Sequence, residues 1–325
     1  MRAAARPDDL RRGARRAEGD PLRRAEPGRC RAAAARYGAG GRVTTIYRTP
    51  AGQRAVEAAY TDQLGRWPVP AEQRTVPTRL GDTFVISSGP ADGPPLVLLH
   101  GSGTNAMMWA GDVTAWAPRL RVHAVDVVGE AGRSAPARPP LGGDEYAGWL
   151  DDVLDALGVQ AASLVGASLG GWLAVDYATR RPGRVERLVC LCPGGIGRQK
   201  YGWLLPALLY RPFGAWGRRR TLMTATGLNR TGLGPVVDYM DTIHRHFRPR
   251  TEKLPVFTDD ALARLTMPVL VVVGERDALL DSRDTVRRLE HAVPHADVRL
   301  LPGVGHSIIG QGEAVLAFLS PRTPG

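Results

Sequence analysis

Apolar positions along the chain fall into two alternating kinds of run. Unbroken apolar stretches occur at PLVLLH (95–100), LRVHAVDVVG (120–129), ASLVGAS (162–168), VERLVCLCPG (185–194), MPVLVVVGE (267–275) and ADVRLLPG (296–303). Each has the length and β-branched content of a strand buried on both faces. Between them, apolar residues recur every three or four positions in EYAGWLDDVLDALGV (145–159), LGGWLAVDYATRRP (169–182), SRDTVRRLEHAV (282–293) and EAVLAFLS (313–320), which predicts helices. A further helix is predicted over 49–67, ended by Pro68 and Pro70. A hairpin follows it, RTVPTRL (74–80) and DTFVISSG (82–89), split at Gly81 and Asp82. Strands alternating with helices mean an α/β fold: a mostly parallel sheet of eight strands, helices on both faces, and the antiparallel hairpin at one edge.

Two segments break this rhythm. Residues 195–262 are too long for one crossover and hold helical, aromatic-rich stretches at 201–220 and 235–247, so a helical lid over the strand ends is expected. Residues 1–42 are rich in Arg, Ala, Gly and Pro and almost lack large apolar side chains, which predicts a disordered basic tail. Its Arg-Arg pairs are not followed by an apolar stretch long enough for export, so a cytoplasmic location is expected. The tail also reads as an overextended translation start, with Val43 near the genuine beginning. The core then comprises 43–194 and 263–325.

Net charge changes the picture little. Of the formal +11, residues 1–42 carry +7, so a nucleic-acid partner is not expected for the body. No run of about 18 apolar residues exists, and no membrane partner is expected. Cys190 and Cys192 share a strand face at a spacing too long to bridge and read as small buried hydrophobes. No Cys or His spacing suits a metal site, and no cofactor is expected; His244 and His246, two apart on a helix, point to different faces.

Chemistry enters at LVGASLGG (164–171). Ser168 lies in G-x-S-x-G, after a strand-like run and at the start of a helix, the context in which that motif exposes a nucleophilic hydroxyl. Asp277 follows the strand VLVVVGE, and His306 follows the last strand in LLPGVGHS. In a parallel sheet the strand C-terminal ends share one edge, so Ser168, Asp277 and His306 are expected to meet there as nucleophile, orienter and base. Asp281 and Asp284 are rivals to Asp277 but are better placed to cap the next helix. The loop LLHGSGTNAMMW (98–109) supplies backbone N–H groups, and those of Ser102 and Leu169 are expected to form an oxyanion hole. His100 is expected to hold that loop rather than move protons. Gly101, Trp203, Tyr210 and Phe213 are candidate substrate-pocket residues, with Leu204, Leu205 and Trp216 as further aromatic and aliphatic candidates in the lid.

With HGSG, DVVGEAGRS, GASLGG, GERDALL and GVGHS in this order, the chain from about Val43 onward resembles the α/β-hydrolase fold superfamily. Within it, the D-x-x-G-x-x-x-x-S pattern at Asp126, Gly129 and Ser134 is similar to that of bacterial carboxylesterase-like serine hydrolases. The resemblance implies hydrolysis of a small-molecule apolar ester through an acyl-enzyme. Alternatives in the same fold are a lactonase, a thioesterase or a carbon–carbon bond hydrolase. A ligand-sensing signalling protein that retains the triad is an alternative of another class.

Overall fold

The computed structural model describes residues 46–228 and 234–320; the expectations for residues 1–42 lie outside the described residues. Among these residues, eight strands form one sheet, β1 (Ala71–Val76), β2 (Thr83–Ser88), β3 (Pro95–Leu99), β4 (Arg121–Val125), β5 (Ala162–Ala167), β6 (Val185–Leu191), β7 (Val269–Gly274) and β8 (Asp297–Leu301). Their spatial order is β1-β2-β4-β3-β5-β6-β7-β8. β2 is antiparallel to both β1 and β4, and all later pairings are parallel.

Period-two alternation divides each central strand between two cores. Val97, Leu99, Leu164, Leu188, Val271 and Val273 face one side, while Leu96, Leu98, Val165, Val189, Leu270 and Val272 face the other. On the second side lie α1 (Pro50–Leu64), through Tyr60 and Leu64, and α2 (Ala110–Trp116), through Val113 and Trp116. The first side is covered by α3 (Glu145–Leu157) and α4 (Leu169–Arg180), whose Trp149 and Trp172 are fully buried.

Among the described residues, four α-helices lie between β6 and β7: α5 (Leu204–Tyr210), α6 (Gly214–Thr226), α7 (Gly234–His246) and α8 (Asp259–Leu262). The last part of this segment packs into the body: Leu262 is fully buried in the first core, and Phe257 stacks on Trp172 at 5.4 Å. The body therefore takes up the chain before residue 263. α9 (Ser282–Ala292) completes the first face, and α10 (Gly312–Leu319) completes the second.

Two local expectations are corrected. β1 starts at Ala71 and ends at Val76 rather than spanning 74–80, because Pro77 has no N–H to continue the ladder. The stretch after β3, read only as a loop, closes into a 3-10 turn (Ala106–Trp109) and then α2. Asn105 starts it, its side chain accepting the Met107 N–H at 3.3 Å.

Candidate active site

β5 ends at Ala167 and α4 begins at Leu169, so Ser168 alone makes the turn between them. Its φ of 52° and ψ of −109° are reached by an L residue only when its surroundings impose them. Here the Ser168 N–H donates to the Leu191 carbonyl of β6 at 2.9 Å. Its own carbonyl accepts from Trp172 N–H at 2.9 Å and Gly194 N–H at 3.2 Å. The bend also needs bare backbone. A Cβ on Gly166 would stand 2.3 Å from the Gly170 oxygen, and one on Gly170 2.0 Å from the Leu99 oxygen. The Ser168 side chain does not cap α4, so its hydroxyl is available to another partner.

That partner is His306. Ser168 Oγ lies 2.9 Å from His306 Nε2, and His306 Nδ1 lies 2.7 Å from Asp277 Oδ2. Asp277 has no proton to give when ionised, so Nδ1–H donates to the carboxylate and Nε2 accepts from the serine hydroxyl. The other oxygen, Asp277 Oδ1, accepts the Leu279 and Leu280 N–H groups at 2.7 and 3.0 Å, which fixes the carboxylate in place. Asp277 is 2% exposed and His306 8%, so both ring and carboxylate work largely out of water. Burial disfavours a charged His306, but the Cys192 sulfur and the Asp277 carboxylate favour it more, and the ring pKa is raised. The rivals lie elsewhere: Asp281 caps α9 by accepting the Asp284 N–H at 3.2 Å, and Asp284 pairs with Arg198 and Arg287.

The loop after β3 runs directly beside the serine, where a Cβ on Gly101 would lie 3.5 Å from Ser168 Cβ. His100 holds this loop. Its Nδ1–H donates to the Gly101 carbonyl at 2.8 Å while Nε2 accepts the Val127 N–H at 2.9 Å. Both ring nitrogens are occupied and burial pushes the pKa down, so His100 is a neutral strut. Among the described residues, neither the Ser102 nor the Leu169 amide has a hydrogen-bond partner, whereas the Gly103 amide is taken.

The partner of Gly103 is Glu130, a residue the sequence did not single out. Its Oε2 accepts the Gly103 N–H at 2.7 Å and the Ser102 hydroxyl at 3.1 Å, with the side chain 1% exposed. Burial raises its pKa, against the Gly103 N–H and the positive charge of Arg138. A second missed residue is Cys192. It is buried, as expected of it and of Cys190, but it also leaves β6 with φ 42° and donates from Sγ to the His306 carbonyl at 2.8 Å. Its sulfur also lies 3.9 Å from His306 Nε2. Cys190, by contrast, sits in the first core as expected.

None of the aromatic pocket candidates Trp203, Tyr210 and Phe213 is buried. Phe213 is 60% exposed and stacks edge-on against Trp216 at 5.6 Å; it faces solvent instead because neither α5 nor its following turn buries a residue. Tyr210 is half-buried against the same Trp216, and Trp203 is half-buried at the start of α5. His244 of α7 reaches the loop after β3, where its Nε2 would meet a Cβ on Gly103 at 3.2 Å. Among the described residues, no group of three or more His, Cys, Asp or Glu is arranged to hold a metal ion.

Comparison with known proteins agrees with this architecture. A family model described as "Alpha/beta hydrolase family" matches residues 96–318. Carboxylesterase YbfK of Bacillus subtilis (strain 168) is 34% identical over 277 residues, covering 80% of this chain and 92% of that protein. The crystal structure of carboxylesterase CesB (YbfK) from Bacillus subtilis superposes with a TM-score of 0.73 at 30% identity, covering 83% of this chain and 98% of that one. The naproxen esterase (carboxylesterase NP) structure from Bacillus subtilis has a TM-score of 0.72 at 28% identity, covering 84% and 100%. Sheet order, the sharp bend that carries Ser168 and the extent of these matches lead to one family: the chain belongs to the alpha/beta hydrolases.

Proposed function

We propose that the protein hydrolyses carboxylic esters of small or medium apolar compounds through an acyl-enzyme on Ser168. The observation that carries this reading is the unbroken chain of hydrogen bonds from Ser168 Oγ through His306 to Asp277. The carboxylesterase names of the similar Bacillus proteins support it.

In this reading Ser168 Oγ attacks the ester carbonyl as His306 Nε2 takes its proton. Asp277 holds the ring and stabilises the imidazolium. The unpaired Leu169 and Ser102 amides receive the developing oxyanion, aided by the N-terminus of α4. The imidazolium then protonates the departing alkoxide, which leaves as the alcohol. Water, deprotonated by His306, attacks the acyl-enzyme; the tetrahedral adduct expels Ser168 Oγ, which recovers its proton, and releases the acid. No cofactor enters any step. We assign α5, α6 and α7 the part of a lid over the strand ends, with substrate entering beside the loop that holds Ser102. Labelling with an alkyl phosphonate followed by peptide mapping tests the nucleophile: the adduct belongs on Ser168, and an unlabelled Ser168 in active protein refutes the assignment.

The proton balance sets a pH profile. His306 is a base only when neutral, and its raised pKa keeps the ring protonated to higher pH than a free imidazole at 6.5. The acid limb of kcat/KM therefore rises through a midpoint above 6.5. Asp277→Asn removes the carboxylate that favours the charged ring, so residual activity shifts to a lower midpoint. Initial rates across the neutral range decide this, and a wild-type midpoint below 6.5 contradicts it.

Glu130 positions the loop that carries the Ser102 amide. Glu130→Ala leaves the buried Gly103 N–H and the Ser102 hydroxyl without their acceptor, at a cost of about 2 kcal/mol in stability. A misplaced Ser102 amide is expected to lower kcat about tenfold with little change in KM. Glu130→Gln keeps an acceptor oxygen and recovers most of that loss. Thermal denaturation and steady-state kinetics of the two variants read both effects, and equal kcat in Ala and Gln variants argues against a positioning role.

A further inference from the structure

The outer face of α5 and α6 is unlike the rest of the surface. Leu204, Leu205, Leu208, Leu209, Phe213 and Trp216 are each between 48% and 65% exposed, and α5 buries no residue at all. An α-helix in water covers its apolar side chains against something, and a patch of this size marks an interaction site. Charge says what the something is. From Lys200 to Val237 the chain holds six basic residues and not one acid. Arg218 and Arg219 are neutralised by Asp241 and Asp238 from α7. Arg211 and Arg220 flank the apolar face, are exposed, and make no ion pair among the described residues.

Leu, Phe and Trp on a helical face bordered by unpaired arginines is the composition of a segment that lies in a membrane interface: apolar side chains enter the acyl boundary while guanidinium groups meet phosphates. A second copy of this chain is the poorer fit, because a self-complementary contact would bring Arg211 and Arg220 toward the same charge with no acid from this segment to answer them.

Both roots of this segment meet the loops of the candidate active site. Its N-terminal root is tied to the loop of Asp277, where Lys200 N–H donates to the Leu279 carbonyl at 2.8 Å and Lys200 Nζ to the Asp277 carbonyl at 3.0 Å. Its C-terminal root meets the loop of His306: Ser307 N–H donates to the Thr226 carbonyl at 2.8 Å, and Gly227 packs on Gly305. From this geometry we propose that the α5–α6 face docks the protein, lying flat, onto an anionic lipid surface. The proposal departs from the expectation of no membrane partner and concerns docking only: no described helix is long and apolar enough to cross a bilayer.

The docking does not depend on the ester-hydrolase reading, and its test is binding. The full chain is floated with vesicles of phosphatidylcholine alone or mixed with phosphatidylglycerol. Wild type is expected to bind the mixed vesicles at least tenfold more strongly than the neutral ones. Leu208→Glu/Leu209→Glu and Arg211→Glu/Arg220→Glu should each lose at least tenfold of that binding, with an unchanged circular dichroism spectrum and denaturation midpoint as the check on folding. The first 42 residues, with their twelve arginines, remain in every variant. Binding undiminished in both variants would therefore assign it to that segment and overturn the proposal. So would absence of wild-type binding, or a concentration-dependent dimer that Leu208→Glu/Leu209→Glu dissolves.

Discussion

Replacing Ser168 by Ala is expected to lower kcat for ester hydrolysis by ~100,000-fold, with the fold intact and KM little altered. The magnitude follows from what is removed. Without Oγ no acyl-enzyme forms, and His306 loses the hydroxyl it lies 2.9 Å from. The residual rate then comes from the oxyanion donors and substrate binding alone, and single losses in such coupled sites cost nearly as much as losing the whole set. Stability should not suffer. The side chain caps nothing in α4, and the backbone bonds that hold the bend, to Leu191, Trp172 and Gly194, need no hydroxyl. Ala at φ 52° keeps the same strain as Ser. A kcat within tenfold of wild type, measured on protein whose circular dichroism and denaturation midpoint match, would remove Ser168 from the mechanism.

The second large effect is on the bend rather than the nucleophile. Gly170→Ala puts a methyl group 2.0 Å from the Leu99 oxygen and 2.6 Å from the His100 oxygen. Both are backbone atoms of β3 and the loop that leaves it, so no rotamer change relieves the contact. Either α4 moves away from β3 or the loop moves away from α4, and each separates the two amides proposed to receive the oxyanion. Overpacking of this kind is expected to cost about 3 kcal/mol, with a fall in kcat that exceeds any change in KM. Gly183→Ala is the matched control, since a Cβ there meets nothing within 4 Å. Chemical denaturation of the two variants separates the effects; equal midpoints would show that the close approach at Gly170 is not structurally required.

Much of this molecule was legible because central strands and amphipathic helices write different periods. All eight strands and the helices over 145–159, 169–182 and 282–293 follow from that contrast, with ends displaced by a few residues. Chain order and the shared edge of a parallel sheet were enough to place Asp277 beside His306 and to set Asp281 and Asp284 aside. Less was visible where the signal depends on spatial neighbours. Glu130 meets Ser102 across 28 positions of sequence, and only the pairing of β3 with β4 brings their loops together. Cys192 looked like Cys190 because both end an apolar run; the departure from β6 with positive φ turns only the second toward the histidine. α5 misled for another reason. LLPALLY has the composition of a packed helix, and hydrophobicity alone does not say whether the partner is the protein's own core.

The span of the Ser168–His306 contact has a consequence for how the protein comes into being. The two residues are 138 positions apart, and the histidine follows the last strand of the sheet. A chain emerging from the ribosome carries Ser168 long before it has the proposed base, His306, to go with it. Contacts of such long range form only after much of the sheet has closed. Turnover of a chromogenic ester would therefore report completion of β8 itself, and a time course of regained activity after dilution from denaturant would trail the recovery of helical signal. If the proposed mechanism holds, the enzyme stays silent until its final strand is in place.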